Sequence, residues 1–260
     1  MNFFREFVIF GLKQAHACLF GGALVAAIIL THFWYPLEPL HRYDFLFLFA
    51  VTVQLLLLVT GLESLREAGV IVVFHVLATV MEIFKTSDAI QSWRYPGEFL
   101  IGIAHVPLFA GFMYSAVGSY IARVWRIFDF RFSHYPARMP TLIVAVLIYV
   151  NFFSHHYLPD LRWLLFAVIV VLFVRTRVHF KVKSIHRYMP LLLGWVLVAT
   201  FIWFAENTAT FASIWLYPNQ NDGWIPVSIE KIGSWFLLII LSFVLVSLVH
   251  KPQPLHDCAP

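Results

Sequence analysis

Charged residues are scarce in this chain. Only 12% of its 260 residues are Asp, Glu, Lys or Arg, whereas water-soluble domains contain about 25%. Hydrophobic residues make up 61% of the chain and aromatic residues 18%, and the mean hydropathy is +0.80. This composition excludes a water-soluble domain, an intrinsically disordered chain and a nucleic-acid-binding protein, although the net charge is +4. The sequence therefore predicts an integral membrane protein that lies in the lipid bilayer and has the lipids as its partner.

Cysteine and metal-binding spacings are also scarce. The two cysteines, Cys18 and Cys258, lie at opposite ends of the chain and form no CxxC pair. Their spacing excludes a disulfide scaffold and a cysteine-based metal or redox site. No HExxH or Glu-x-x-His spacing occurs within an apolar run, so a metal would need ligands from separate helices. We therefore predict no metal site, and the sequence leaves the cofactor unknown.

Eight apolar runs are long enough to cross a hydrocarbon core of about 30 Å, which needs roughly 17 to 25 helical residues. They cover residues 15–34, 45–62, 68–84, 99–120, 141–158, 161–178, 189–205 and 227–249. The sequence thus predicts an all-α, polytopic bundle of transmembrane helices forming a single membrane domain over 1–260. Only residues 158–160 separate the fifth and sixth runs, which leaves seven spans as the alternative.

The two ends of the chain are predicted to lie in the cytoplasm. The first run leads into Trp34 without a small-residue cleavage pattern, so we expect an anchor rather than a cleaved signal peptide. Before it, phenylalanines alternate with charged residues, which predicts a short helix on the membrane surface. With the N-terminus inside, 13 of the 18 basic residues lie on the inner side. The positive-inside rule therefore predicts a bacterial inner-membrane protein with a short cytoplasmic tail at 251–260.

A five-residue pattern occurs twice, after the third and the seventh run. The two copies are Glu82, Thr86, Trp93, Tyr95, Pro96 and Glu206, Thr210, Trp215, Tyr217, Pro218. The spacing from Glu to Thr is the same in both copies, and so is the spacing from Trp through Tyr to Pro. The match indicates an internal repeat. We predict repeat A at about 15–125 and repeat B at about 141–249, two parallel four-helix units with the same orientation in the membrane.

Ionisable side chains within the runs are predicted to form one polar chamber. An ionisable group at the centre of a membrane helix costs about 2.5 to 3.5 kcal/mol, so such groups are candidates for function. At about 1.5 Å of rise per residue, Glu82, Glu206 and His155 lie about 21 to 22 Å above the inner surface, and His105 lies about 9 Å below the outer surface. We therefore predict these four as the catalytic residues of a chamber in the outer half of the bilayer.

Further polar and aromatic side chains lie on the same helix faces or beside the repeated glutamates, and we predict that they bind the substrate. These are Trp93, Tyr95, Trp215, Tyr217, Asn207, Glu230 and His75. Gly111, Ser115 and Ser119 follow at four-residue steps and predict close packing of the fourth helix against a neighbour.

Several of these stretches resemble a known family. The segment from Glu82 through HVPLFAGFMYSAVGSYIAR, with AENTATFASIWLYPNQNDGW and IEKIGSW later, resembles the YoaT-like family of uncharacterised bacterial integral-membrane proteins. The resemblance covers most of the chain and implies a multi-span inner-membrane protein without an assigned activity. Trp215, Tyr217, Pro226 and Glu230 also give a fainter likeness to integral-membrane carotenoid cyclases, although Lys231 follows Glu230 where those enzymes have a second Glu.

Three functions are compatible with these features. The first is an intramembrane enzyme acting on a lipid or isoprenoid substrate, with Glu82 and Glu206 as acid and base between aromatic walls. The second is a small-molecule or proton-coupled transporter, which parallel repeats with paired acidic residues would suit. The third is a structural membrane protein whose outer loops contact a partner.

Overall fold

The computed structural model describes residues 3–255 and is predominantly helical. Within these residues it has nine α-helices: α1 (Phe3–Ala17), α2 (Leu19–Phe33), α3 (Arg42–Val59), α4 (Leu65–Thr86), α5 (Phe109–Ile127), α6 (Arg138–Ser154), α7 (Arg162–Phe173), α8 (Leu191–Phe211) and α9 (Lys231–Ser247). It also has five short strands: β1 (Gly102–Ile103), β2 (Val106–Pro107), β3 (Arg131–Ser133), β4 (Arg177–Lys181) and β5 (His186–Pro190). Cys258 lies outside the described residues, as does the part of the predicted tail beyond residue 255.

Several helices are apolar and long enough to cross a membrane. Among residues 3–255, α3, α4 and α8 meet both conditions, and α1 with α2 makes a fourth if this pair, bent by 72° at Cys18, forms one span. Helices α6, α7 and α9 are apolar but shorter. Large apolar side chains are exposed along the outer faces, including Val76 and Val80 on α4 and Phe201 on α8. Such surfaces are typical of helices that face lipid.

The strands are a departure from the predicted all-helical chain. β1 and β2 form a hairpin at 102–107, inside the fourth predicted span, so α5 begins only at Phe109. The carboxylate of Asp44 on α3 holds this segment by accepting the N–H groups of Leu100 and Ile101 at 2.8 to 3.1 Å. Asp44 is 1% exposed, and this contact between distant residues keeps the segment from continuing the helix.

The other strands form an antiparallel sheet in the order β3, β4, β5. The sheet joins the two basic loops that follow α5 and α7. The sixth predicted span, 161–178, therefore extends too far, because α7 ends at Phe173 and β4 begins at Arg177. The chain near the C-terminus lies against this sheet, where the N–H of Phe132 donates to the carbonyl of Gln253 at 2.9 Å.

The predicted N-terminal helix is present as α1. It packs on α5, and the Lys13 ammonium donates to the carbonyls of Ile127 and Lys181 at 3.1 Å each. Glu6 forms an ion pair with Arg187 of β5 at 2.9 Å. Phe4, on the opposite side of the helix, remains 70% exposed. Helix α1 is therefore attached to the same end of the bundle as the sheet.

Helices α4 and α5 have the most extensive helix–helix contact among the described residues, followed by α8 and α9, and α5 packs on α9. A capping box between Ser64 and Glu67 begins α4. The small-residue face predicted on α5 is where it meets α4: Ser115 is fully buried and its hydroxyl donates to the carbonyl of Ile71 at 3.3 Å. The C-terminal ends of α4 and α8 and the N-terminal ends of α5 and α9 lie around one cavity.

Candidate functional site

Glu82 is the most heavily hydrogen-bonded side chain of the site. It lies near the C-terminal end of α4 and is 1% exposed. Its carboxylate accepts the indole N–H of Trp93 at 2.8 Å and the hydroxyls of Tyr95 at 2.7 Å and Tyr114 at 2.5 Å. Trp93 and Tyr95 come from the loop after α4, and Tyr114 comes from α5. One carboxylate thus joins a helix end, its following loop and the next helix.

Glu206 has a similar but less complete set of donors. It lies in α8, is 3% exposed, and accepts the hydroxyl of Tyr217 at 2.6 Å and the indole N–H of Trp235 at 2.7 Å. Tyr217 belongs to the loop after α8, and Trp235 belongs to α9. The two glutamates therefore share the same type of setting, in which neutral aromatic donors bind the carboxylate. They differ because Glu82 has three such donors and Glu206 has two.

The loops that carry these aromatic residues pair with each other. Arg94 and Leu216 form an antiparallel bridge, with N–H to O distances of 3.0 and 2.9 Å in the two directions. The rings of Trp93 and Tyr217 meet edge to face, with centroids 6.1 Å apart. The two loops consequently close over the glutamates as one layer.

A cavity of about 160 Å³ lies beneath this layer and between the glutamates. Its polar and aromatic lining comprises Glu82, Glu206, Lys85, Lys231, Arg162, His155, Asn151, Ser92, Ser234, Trp93, Trp215, Trp235, Tyr95, Tyr114, Tyr217 and Phe152. Its volume is close to that of an engineered cavity that binds benzene, about 150 Å³. It therefore has room for a small group or the end of a longer molecule.

Cationic groups face the same cavity. The Lys85 ammonium lies 3.2 Å from Nε2 of His155 and 2.7 Å from Nε2 of His156. The Lys231 ammonium lies over the ring of Tyr217, 4.3 Å from its centroid. Arg162 is paired with Asp160 at 3.2 Å. Burial opposes ionisation of Asp160, but hydrogen bonds from the Arg162 N–H and from Asn151 outweigh it and hold the pKa of this carboxyl below its usual value.

The tyrosines of the two loops stay protonated over the physiological range. Burial raises the pKa of Tyr95 well above its usual value, and the charge of Glu82 raises it further. The pKa of Tyr217 is raised in the same way by burial and by Glu206. A phenol deprotonates beside a carboxylate only at the expense of placing two negative charges together. Each tyrosine hydroxyl therefore keeps its proton and donates a hydrogen bond to its glutamate.

Most of the residues predicted to form the site lie together. Glu82, Glu206 and His155 line the cavity, and so do the four predicted aromatic residues, Trp93, Tyr95, Trp215 and Tyr217.

The remaining predicted site residues lie outside the cavity lining. His105 was expected within the fourth membrane helix, but it lies in the exposed turn between β1 and β2, 3.7 Å from Asp88. His75 is packed against Phe112 within the α4–α5 contact. Asn207 accepts the N–H of Val227 at 2.8 Å and so fixes the chain before α9. Glu230 is exposed at the start of α9.

Tyr114 and Trp235 are functional candidates that the sequence reasoning missed. Both occur within apolar helices, where an aromatic residue is usually read as core. The signal available for Trp235 was its position in the IEKIGSW segment, one turn after Lys231. Among residues 3–255, no group of three or more His, Cys, Asp or Glu side chains is arranged to hold a metal ion.

Comparisons with known proteins support one family. A family model described as "Protein of unknown function (DUF817)" matches residues 6–243. The chain is 40% identical over 247 residues to the "Uncharacterized protein YoaT" of Bacillus subtilis (strain 168), covering 95% of this chain and 92% of that protein. No solved structure matches the chain. These matches do not support the likeness to carotenoid cyclases.

Proposed function

Because the chain belongs to the DUF817 family, whose description names no activity, we propose its function from the site: an intramembrane enzyme for a lipid or isoprenoid substrate. In this proposal, Glu82 and Glu206 act as acid and base in the outer half of the bilayer. The observation that carries it is that two buried carboxylates, each bonded to tyrosine, face one cavity.

The membrane arrangement proposed with it has eight spans. Helices α2 to α9 coincide in order with the eight apolar runs of the sequence. An even number of spans in each half gives both halves the same orientation, and the basic residues favour cytoplasmic termini in the inner membrane. Glu82 and Glu206 then both approach the outer side.

A two-fold internal repeat is supported by the pairing of the loops. Arg94 and Leu216 are the residues between Trp and Tyr in the two copies of the motif, and they pair antiparallel with each other. Bridging of equivalent positions is what a two-fold axis between the halves would produce. The helix packing is consistent with this axis, because α4 packs on α5 as α8 packs on α9, and α2 packs on α5 as α6 packs on α9.

The difference between the two glutamates suggests distinct roles. Glu82 receives three donors, whereas Glu206 receives two and retains more free acceptor capacity. Two carboxylates in unlike surroundings are the arrangement by which enzymes separate an acid from a base. We assign Glu206 to proton transfer through Tyr217, whose hydroxyl gives its proton to the carboxylate as it accepts one from the substrate. Glu82, in the opposite wall of the cavity, is assigned the role of the acid.

The volume of the cavity limits what enters it. About 160 Å³ holds a group of roughly the size of benzene. A complete lipid or isoprenoid is much larger, so only its polar end or a short segment would enter, and the remaining chain would stay in the bilayer. The aromatic walls provide faces that stabilise positive charge during a reaction.

The proposal predicts that removing both carboxyl groups abolishes the activity. Cells would overproduce wild-type protein, Glu206→Gln, Glu82→Gln or the double variant at matched membrane levels, and their extracted lipids and pigments would be compared by mass spectrometry. We expect the abundance of at least one lipid or pigment species to change in cells that overproduce the wild type. In cells that make Glu206→Gln, this change should be about 10²- to 10⁴-fold smaller. Cells that make the double variant should have the same lipid and pigment profile as cells that lack the protein.

Glu98→Gln is the matched control, because the Glu98 side chain is 88% exposed and lies away from the cavity. It should change the profile as the wild type does. If the profile is unchanged by folded wild-type protein, the enzyme proposal is wrong, and a transporter or a structural membrane protein becomes the better explanation.

A further inference from the structure

We propose that the cavity binds a phosphate group through Lys85 and Lys231, so that the substrate is a lipid or isoprenoid phosphate. This inference names the substrate class and rests on the proposed function in taking the cavity as the substrate site.

Lys85 is a buried ammonium without an acidic contact. Its residue is 6% exposed, near the C-terminal end of α4. Two of its N–H groups are directed at His155 and His156, which leaves the third without an acceptor in residues 3–255. No carboxylate of that part of the chain lies within the 4 Å of an ion pair. Burial of a charge without such a partner is unfavourable, and a bound anion would remove the cost.

Lys231 is a second ammonium without an acidic contact, in a half-buried residue. It lies over the aromatic rings of Tyr217 and Trp93, at 4.3 and 5.8 Å from their centroids. Contact with ring faces leaves the N–H groups of an ammonium available to an acceptor. Within the described residues, its Nζ has no hydrogen-bond acceptor and no carboxylate at ion-pair distance.

The acidic side chains of the cavity have hydrogen-bond partners other than the lysines. Glu82 and Glu206 accept hydrogen bonds from tyrosine and tryptophan rather than from lysine. Arg162 already has Asp160 as its partner. The cavity therefore presents two ammonium groups that are ready to contact an anion, while its carboxylates are held in the wall by neutral donors.

A phosphate group suits both the charge and the space. It carries up to two negative charges and has several acceptor oxygens, which matches two ammonium groups that line the same cavity. Ser92, Ser234 and Asn151 also line the cavity and supply hydroxyl and amide donors. A phosphate is smaller than the available volume of about 160 Å³, so the attached organic group has room to begin inside the cavity.

The test is a binding measurement on the full-length protein in nanodiscs at constant ionic strength. Tryptophan fluorescence provides the readout, because Trp93, Trp215 and Trp235 line the cavity. The probes are inorganic phosphate added to phosphatidylcholine nanodiscs, and nanodiscs in which phosphatidic acid replaces part of the phosphatidylcholine. We expect saturable binding by the wild type and about tenfold weaker binding by Lys85→Gln or Lys231→Gln, because each loses a charge-assisted contact.

Further variants make the comparison decisive. Lys183→Gln removes an exposed lysine and should bind as the wild type does. If either Gln variant fails to fold, Lys85→Arg and Lys231→Arg keep the charge and should retain binding, whereas Lys85→Met and Lys231→Met should lose it. Glu206→Gln removes a negative charge from the wall and should bind phosphate more tightly.

A response to phosphatidic acid alone supports a lipid phosphate, and a response to both probes supports recognition of the phosphate group itself. A response to inorganic phosphate alone overturns the lipid substrate. Equal affinity of wild type and the double lysine variant, or no response to either probe, overturns the phosphate site. These results are separable from catalysis: lysine-dependent binding with an unchanged lipid profile would refute the enzyme and leave the phosphate site standing.

Discussion

Glu82→Ala is expected to lower the free energy of unfolding by about 3 to 6 kcal/mol, because one substitution removes the shared acceptor of three donors. These are the indole N–H of Trp93 and the hydroxyls of Tyr95 and Tyr114, all within 2.5 to 2.8 Å of the carboxylate. Each donor left unpaired in the interior costs about 1 to 3 kcal/mol. SDS titration in mixed micelles, followed by tryptophan fluorescence, would measure the loss.

Variants that remove one donor at a time provide the comparison with Glu82→Ala. Tyr95→Phe or Tyr114→Phe leaves the carboxylate with two donors, so each should cost only about 1 kcal/mol. Val80→Ala on the same helix is a control, because Val80 is 48% exposed; it should change stability by about 0.5 kcal/mol or less. If Glu82→Ala were no worse than one Tyr→Phe change, Glu82 would not be the acceptor that holds these aromatic residues together.

Helix positions followed from the sequence better than helix ends. The apolar runs locate α2 to α9 because burial and lipid exposure both require apolar side chains. The same property explains the error at residues 99–108. Their apolar composition fits a membrane helix, but a carboxylate from α3 binds the backbone at Leu100 and Ile101, and β1 pairs with β2. A contact between residues more than 50 positions apart leaves no local pattern.

The part of the candidate site that could be predicted is its ionisable residues, because a charge in an apolar segment is unfavourable. Glu82 and Glu206 stood out because an ionisable residue in an apolar run needs a reason, and the repeated spacing linked them to Trp93 and Tyr217. Tyr114 and Trp235 carried no such signal, because an aromatic residue in an apolar helix fits a core as well as a site. The sequence places His105 inside the fourth helix, but this helix begins four residues later, at Phe109.

Gly111→Ala is expected to lower the free energy of unfolding by about 1 to 3 kcal/mol, although alanine favours helices over glycine. A β-carbon at position 111 would lie 2.5 to 2.8 Å from three atoms of the His75 ring. That ring also packs edge to face against Phe112, with ring centroids 4.6 Å apart. The imidazole has little room to move, so the α4–α5 contact must open.

The same substitution should have the opposite sign when His75 is absent. In a His75→Ala background, the methyl group of Gly111→Ala enters the space vacated by the ring, and the helix propensity of alanine then stabilises α5 by up to about 1 kcal/mol. Gly69→Ala on α4 is the control, because a β-carbon there meets nothing within 4 Å. SDS unfolding of the four proteins of the His75–Gly111 cycle would give the coupling. Additive effects would mean that the ring does not set the distance between α4 and α5. A reversal of sign would establish that this histidine packs within the wall that carries Glu82 and Tyr114, and that it is not a substrate-binding residue.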